Sequence, residues 1–211
     1  MKIRWIGHAS FQIETSKGLR IRTDPYDASM GLPLSNLPAD VVTVSHEHFD
    51  HNAVSTIPGK PIVLRGAVTQ TVKDAAFKTI ATFHDEAKGA KRGSNNIFLI
   101  TADGLTLAHL GDLGHVLSKD QLCQLGHVDI LCIPVGGTYT LDAKAATEVA
   151  AATNAKIAIP MHFKTPPISL PIATVDAFLA GKLNVRRLDE LEVTADTLPP
   201  DAEIVVLSPR P

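Results

Sequence analysis

The stretch Asp40-Val41-Val42-Thr43-Val44-Ser45-His46-Glu47-His48-Phe49-Asp50-His51 decides how the rest of the 211-residue chain is read. Its first half is a β-branched run, the pattern of a buried strand. Its second half sets three imidazoles and a carboxylate immediately after that strand. In an extended or looped segment, residues i and i+2 point the same way, so His46 and His48 can chelate one cation. Asp50 and His51 fall on the following turn and can serve a second. Imidazole and carboxylate suit zinc, manganese or iron.

Upstream, Lys2–Ile6, Phe11–Glu14 and Leu19–Thr23 are β-rich runs parted by Gly7-His8 and Ser16-Lys17-Gly18, the pattern of an antiparallel meander. Asp24-Pro25 ends the third run. Downstream, Pro61–Leu64 and Thr79–Phe83 read as strands with a short helix between them. Asn96–Thr101 and Leu105–His109 form a hairpin about Asp103-Gly104. Later still, strands Val128–Val135, Lys156–Pro160 and Glu203–Leu207 alternate with helices over Asp142–Ala152 and Ile172–Leu183, Asp142 being the N-cap of the first. Strands early and strand–helix units late predict an α/β fold of two packed sheets with helices outside. No repeat or linker divides the chain, so residues 1–211 are expected to form a single domain.

Composition excludes several classes. Hydrophobic residues are 45% and charged residues 20%, ordinary for a globular protein. A net charge of −2 gives no global field for nucleic acid or anionic membrane. No apolar run approaches the roughly 18 residues of a membrane helix, and the charged start Met1-Lys2-Ile3-Arg4-Trp5 lacks the apolar core of a signal peptide. Cys123 and Cys132 match no zinc or redox spacing and are expected to be reduced, buried thiols. A cytoplasmic location is the expectation.

At His46, His48, Asp50 and His51 the chain resembles the metallo-β-lactamase superfamily, whose His-x-His-x-Asp-His signature is complete here. Further landmarks of that family recur in order: Asp24 after an early strand, His84 after a later one, Gly111-Asp112 in a turn, and His162 at a late strand end. The phrases Gly7-His8-Ala9-Ser10-Phe11, His109-Leu110-Gly111-Asp112, Pro134-Val135-Gly136-Gly137-Thr138-Tyr139-Thr140 and Pro160-Met161-His162-Phe163 resemble its small metal-dependent hydrolases related to L-ascorbate-6-phosphate lactonase. The resemblance implies a four-layer αββα sandwich and two divalent metal ions, zinc foremost, with manganese, iron or nickel as alternatives. It implies one ion on His46, His48 and His84, the other on Asp50, His51 and His162, and Asp112 bridging. Each ion would keep open positions, and a hydroxide shared between them would attack a carbonyl or phosphoryl centre.

Other residues take roles around that core. Asp24 is expected to orient a ligand histidine. His8 is a candidate proton donor or substrate contact, with Asp50 and Asp112 closest to the chemistry. Lys88, Lys91 and Arg92 on a glycine-containing loop, with Lys164 and Tyr139, are candidates to hold an anionic small-molecule substrate, while Gly136 and Gly137 let backbone approach the site. His115 reads as a surface residue and His127 as a structural one. His84 and His109 compete for the third position on the first ion. Alternation along Leu105–Asp112 puts His109 and Asp112 on opposite faces, which favours His84 and leaves His109 as a packing or orienting residue. The leading expectation is hydrolysis of a small ester, lactone or phosphodiester. A nuclease on the same fold keeps nucleic acid open as a substrate. A redox di-iron domain is disfavoured by histidine at position 48, and a non-catalytic metal-binding module by the completeness of the donor set.

Overall fold

The computed structural model describes residues 1–211, and its strands follow the β-branched and alternating runs of the sequence. In chain order they are β1 (Lys2–Gly7), β2 (Ser10–Glu14), β3 (Arg20–Thr23), β4 (Val41–Val44), β5 (Ile62–Arg65), β6 (Thr69–Val72) and β7 (Ala75–Phe83). They continue with β8 (Ser94–Ala102), β9 (Leu105–His109), β10 (Ile130–Pro134), β11 (Ile157–Met161), β12 (Val185–Leu188), β13 (Leu191–Glu192) and β14 (Glu203–Leu207). The helices are α1 (Lys119–Leu125), α2 (Ala143–Thr153) and the single turn α3 (Asp176–Leu179).

Two sheets result, one ordered β13-β1-β2-β3-β4-β5 and the other β12-β14-β11-β10-β9-β8-β7-β6. The meander β1-β2-β3 is antiparallel, and β4 then joins β3 in parallel. In the second sheet, β6 to β9 are antiparallel and β9, β10, β11, β14 and β12 run parallel. The β8–β9 hairpin turns through Asp103 and Gly104, both at positive φ (56° and 74°), the pairing that an Asp-Gly turn favours.

Alternating side chains from both sheets meet in one core cluster of 47 buried residues, including Ile3, Trp5, Phe11, Ile21, Phe77, Phe98, Leu107, Ile133 and Ile159. On β4, Val41 faces that core, while Val42 and Val44 turn outward under Ile57 and Val54. This mixed α/β fold of two sheets with few helices agrees with the expected class.

Three local expectations are corrected. The region between β5 and β7 holds strand β6 rather than a helix, since Thr69, Thr71 and Val72 are β-branched and pair with β7. The helix expected over Ile172–Leu183 shrinks to α3. The Ala173 amide donates to the Gly136 carbonyl and its own carbonyl accepts from the Lys164 amide, which commits this backbone to loop pairing. Gly181, at φ 73°, ends the turn. Cys132 is buried but Cys123 is exposed on α1, a helix that the Ser118–Gln121 capping box starts.

Candidate metal centre

Every segment that carries a candidate ligand follows the C-terminal end of a strand. His8 follows β1, Asp24 follows β3, and His46–His51 follow β4. His84, Asp112 and His162 come after β7, β9 and β11. Strand ends from both sheets therefore deliver their side chains to one rim.

Asp112 lies at the middle of the cluster. Its Oδ2 is 3.0 Å from His84 Nε2, 3.2 Å from His162 Nε2, 3.3 Å from His51 Nε2 and 3.9 Å from His46 Nε2. His46 and His48 lie with ring centroids 4.5 Å apart, and His84 is 4.9 and 5.0 Å from each. His46, His48 and His84 form one group whose donor atoms lie within 4.8 Å of one another, and His8, Asp50, His51 and His162 form another. Asp112 touches members of both.

Backbone and neighbours fix these rings. The Asp24 carboxylate accepts from His51 Nδ1 at 2.9 Å, from the Ser45 amide at 2.8 Å and from the Ser45 hydroxyl at 2.5 Å. Ser45 Oγ is in turn 2.9 Å from His46 Nδ1. One buried carboxylate thus sets two imidazoles, leaving both Nε2 atoms free to face the cluster. His84 Nδ1 lies 3.1 Å from the Tyr139 carbonyl oxygen, to which a protonated Nδ1 donates, and its Nε2 faces Asp112. The Asp112 amide donates to Asn95 Oδ1 at 3.0 Å.

His8, Asp24 and His162 all adopt positive φ (53°, 36° and 51°), strained backbone of the kind that gathers at functional sites. Gly136 has no room for a side chain, because a Cβ there would lie 2.2 Å from the His162 carbonyl oxygen. A Cβ on Gly114 would likewise lie 2.3 Å from the His84 carbonyl carbon.

These residues fit divalent cations. His46 Nε2, His51 Nε2 and Asp112 Oδ1 are buried with no hydrogen-bond partner, an arrangement costly without an electrophile to satisfy it. Burial pushes the His46 imidazole down to about 3, so it presents a lone pair, and holds the His8 imidazole neutral by pushing it down to about 4. Burial opposes ionisation of Asp112, yet His162 and His51 hold its carboxyl well below the usual range.

The other candidates divide. Arg92 and Tyr139 line a cavity of about 390 Å³ together with His48, Phe49, Asp50, His84, Asp112, His162 and Leu170. The Arg92 guanidinium lies over the Tyr139 ring at 5.5 Å and donates to the Thr138 carbonyl. Lys88, Lys91 and Lys164 do not line the cavity. Lys91 pairs with Glu86, and Lys164 Nζ donates to the Leu170 carbonyl behind the wall. His8 is fully buried and reaches Asp50 rather than the cavity. His109 Nε2 lies 2.7 Å from the Ala9 carbonyl oxygen, and its Nδ1 accepts from the Gly111 amide, so it stands apart from the cluster where His84 joins it. His115 Nε2 accepts from the Phe83 amide, and His127 pairs with Asp129.

Sequence reasoning missed Ser45, Asn95 and Asp85. The Asp85 carboxylate accepts four backbone amides, from Ala87, Gly89, Lys91 and Arg92, and so shapes the loop that carries Arg92. None of the three left a signal of its own, since Asn95 lies in the polar start Ser94-Asn95-Asn96 of β8.

Comparison with known proteins bears on this site. A family model described as beta-lactamase superfamily domain matches residues 2–162. A UPF0173 metal-dependent hydrolase of Methanoculleus marisnigri is 29% identical over 79% of this chain and 83% of its own length. One from Methanobrevibacter smithii is 28% identical over 99% and 95%. A crystal structure from Thermotoga maritima, a proposed Zn-dependent hydrolase of the metallo-β-lactamase superfamily, superposes with a TM-score of 0.83 at 40% identity, covering 98% of this chain and 97% of that one.

Proposed function

The chain belongs to the metallo-β-lactamase superfamily as a metal-dependent hydrolase, and from that premise we propose that it cleaves a small ester, lactone or phosphodiester with two divalent cations. His46, His48 and His84 would hold one ion, and Asp50, His51 and His162 the other, with Asp112 touching both. The observation that carries this is the convergence of four imidazoles on one Asp112 oxygen while several of their neighbouring donor atoms stay buried and unpartnered. When bound, such ions supply Lewis acidity and bring the pKa of water toward neutrality. Zinc is the first choice for that donor set, ahead of manganese, iron and nickel.

The chain's own residues do the rest. Asp24 sets the tautomers of His51 and, through Ser45, of His46. The cavity of about 390 Å³ suits a small molecule, which supports a metabolite over a nucleic acid. Arg92 faces it with no carboxylate partner, which supports an anionic substrate and a relationship to the L-ascorbate-6-phosphate lactonase type. No helix is long and apolar enough to cross a membrane, and we place the enzyme in the cytoplasm. The test is a metal-defined screen over lactones, phosphodiesters and phosphorylated sugars. Turnover of at least one class, lost by at least 100-fold in Asp112→Ala, is expected. Equal turnover by wild type and Asp112→Ala would overturn the assignment.

A further inference from the structure

His8 is the one histidine in direct contact with the proposed ligand set that the set itself does not use. The turn after β1 holds it at φ 53° and leaves it fully buried. Its carbonyl accepts two hydrogen bonds, from Trp5 Nε1 and from the His162 amide, each at 3.0 Å. The strained peptide is therefore clamped from two sides. Its Nε2 lies 3.0 Å from Asp50 Oδ2, and its ring lies 4.1 Å from that of His162 and 5.1 Å from that of His51. His8 is buried and does not line the cavity, and the polar partner of its side chain is Asp50.

Asp50 needs such a partner. It sits on a turn beside the exposed Phe49, and His8 makes the one hydrogen bond to its carboxylate, the next contact being His51 Nε2 at 3.5 Å. We propose that His8 is a positioning residue that donates its Nε2 proton to Asp50 and so holds that carboxylate as a donor to the second cation. A carboxylate donor fixed in this way binds its ion more tightly than one that rotates freely. The assignment rests on the metal-dependent reading of the site. It adds that the second ion, and not the first, depends on the Gly7-His8 turn.

The experiment is stepwise zinc binding to the purified full-length protein, read by competition with a chromophoric chelator and by elemental analysis. His8→Ala should weaken the second zinc by about 10- to 100-fold and leave the first within about threefold. His8→Gln, whose amide N–H can also reach Asp50, should restore most of the loss. His8→Asn keeps a residue that tolerates the left-handed backbone but is too short, so it should behave like His8→Ala and carries the test if the alanine variant does not fold. Unchanged zinc affinities in His8→Asn overturn the proposal. So does a His8→Gln defect as deep as that of His8→Asn with wild-type folding, because His8 would then be a direct donor to the ion. Wild-type protein that binds no divalent cation would instead overturn the function on which it rests.

Discussion

Asp24 is the residue whose removal separates ligand from scaffold most cleanly. Its carboxylate orients His51 directly and His46 through Ser45, so Asp24→Ala should lower metal affinity by about 10- to 100-fold. His127→Ala, at a side chain 78% exposed and paired only with Asp129, should leave it unchanged. Elemental analysis after dialysis against a weak chelator checks both, and equal metal in Asp24→Ala and wild type would contradict the orienting role. At this scale the run His46–His51 was legible from its own spacing, while Asp24, His84, Asp112 and His162 were singled out by the resemblance to the family. Ser45 and Asp85 were not, since a serine beside a histidine and an aspartate in a loop acquire meaning only when the fold aims their oxygens. The glycine-loop cations show the same limit: the chain spells out Lys88, Lys91 and Arg92 alike, and only Arg92 reaches the cavity.

Among the elements, the loop after β7 and helix α2 give contrasting predictions. Asp85→Ala frees four backbone amides at once. Hydrogen exchange at residues 87–92 should then quicken by about tenfold or more, since each amide loses its acceptor, with Arg92 displaced from Tyr139. Exchange as slow as in wild type would show that the loop is held by something else. Asp142 accepts from the Ala145 amide as the cap of α2, so Asp142→Ala should cost about 1 kcal/mol in denaturant unfolding with little effect on metal content. That cap was readable because Asp before an alanine-rich run has a local cause. The strand β6 and the short α3 were not, because register with β7 and pairing to Gly136 are non-local.

For the whole molecule, metal and fold are coupled. Buried imidazoles without partners and the carboxylates of Asp24, Asp50 and Asp112 crowd one rim, so cation binding stabilises the native state by mass action. At a free metal concentration about 100 times its Kd the gain is about 2.7 kcal/mol. A chelator should therefore lower Tm by roughly 5–10 °C for a chain of this size. Calorimetry with and without chelator checks this, and identical melting curves on protein shown to contain metal would contradict it. The two-sheet plan was legible from the order of strand-like runs, but the edges were not. Of the last three strands, β14 was readable as the run Glu203–Leu207, whereas β12 and β13, each at the edge of a sheet, are short segments with little pattern of their own. Their place in the chain has a consequence for biosynthesis. The whole proposed donor set has been translated once His162 is added, while the strands that finish both sheets end only at Leu207. At bacterial or eukaryotic elongation rates that interval is about 2–9 s. Early in it, every proposed donor has been made while β12, β13 and β14, the strands that finish both sheets, have not.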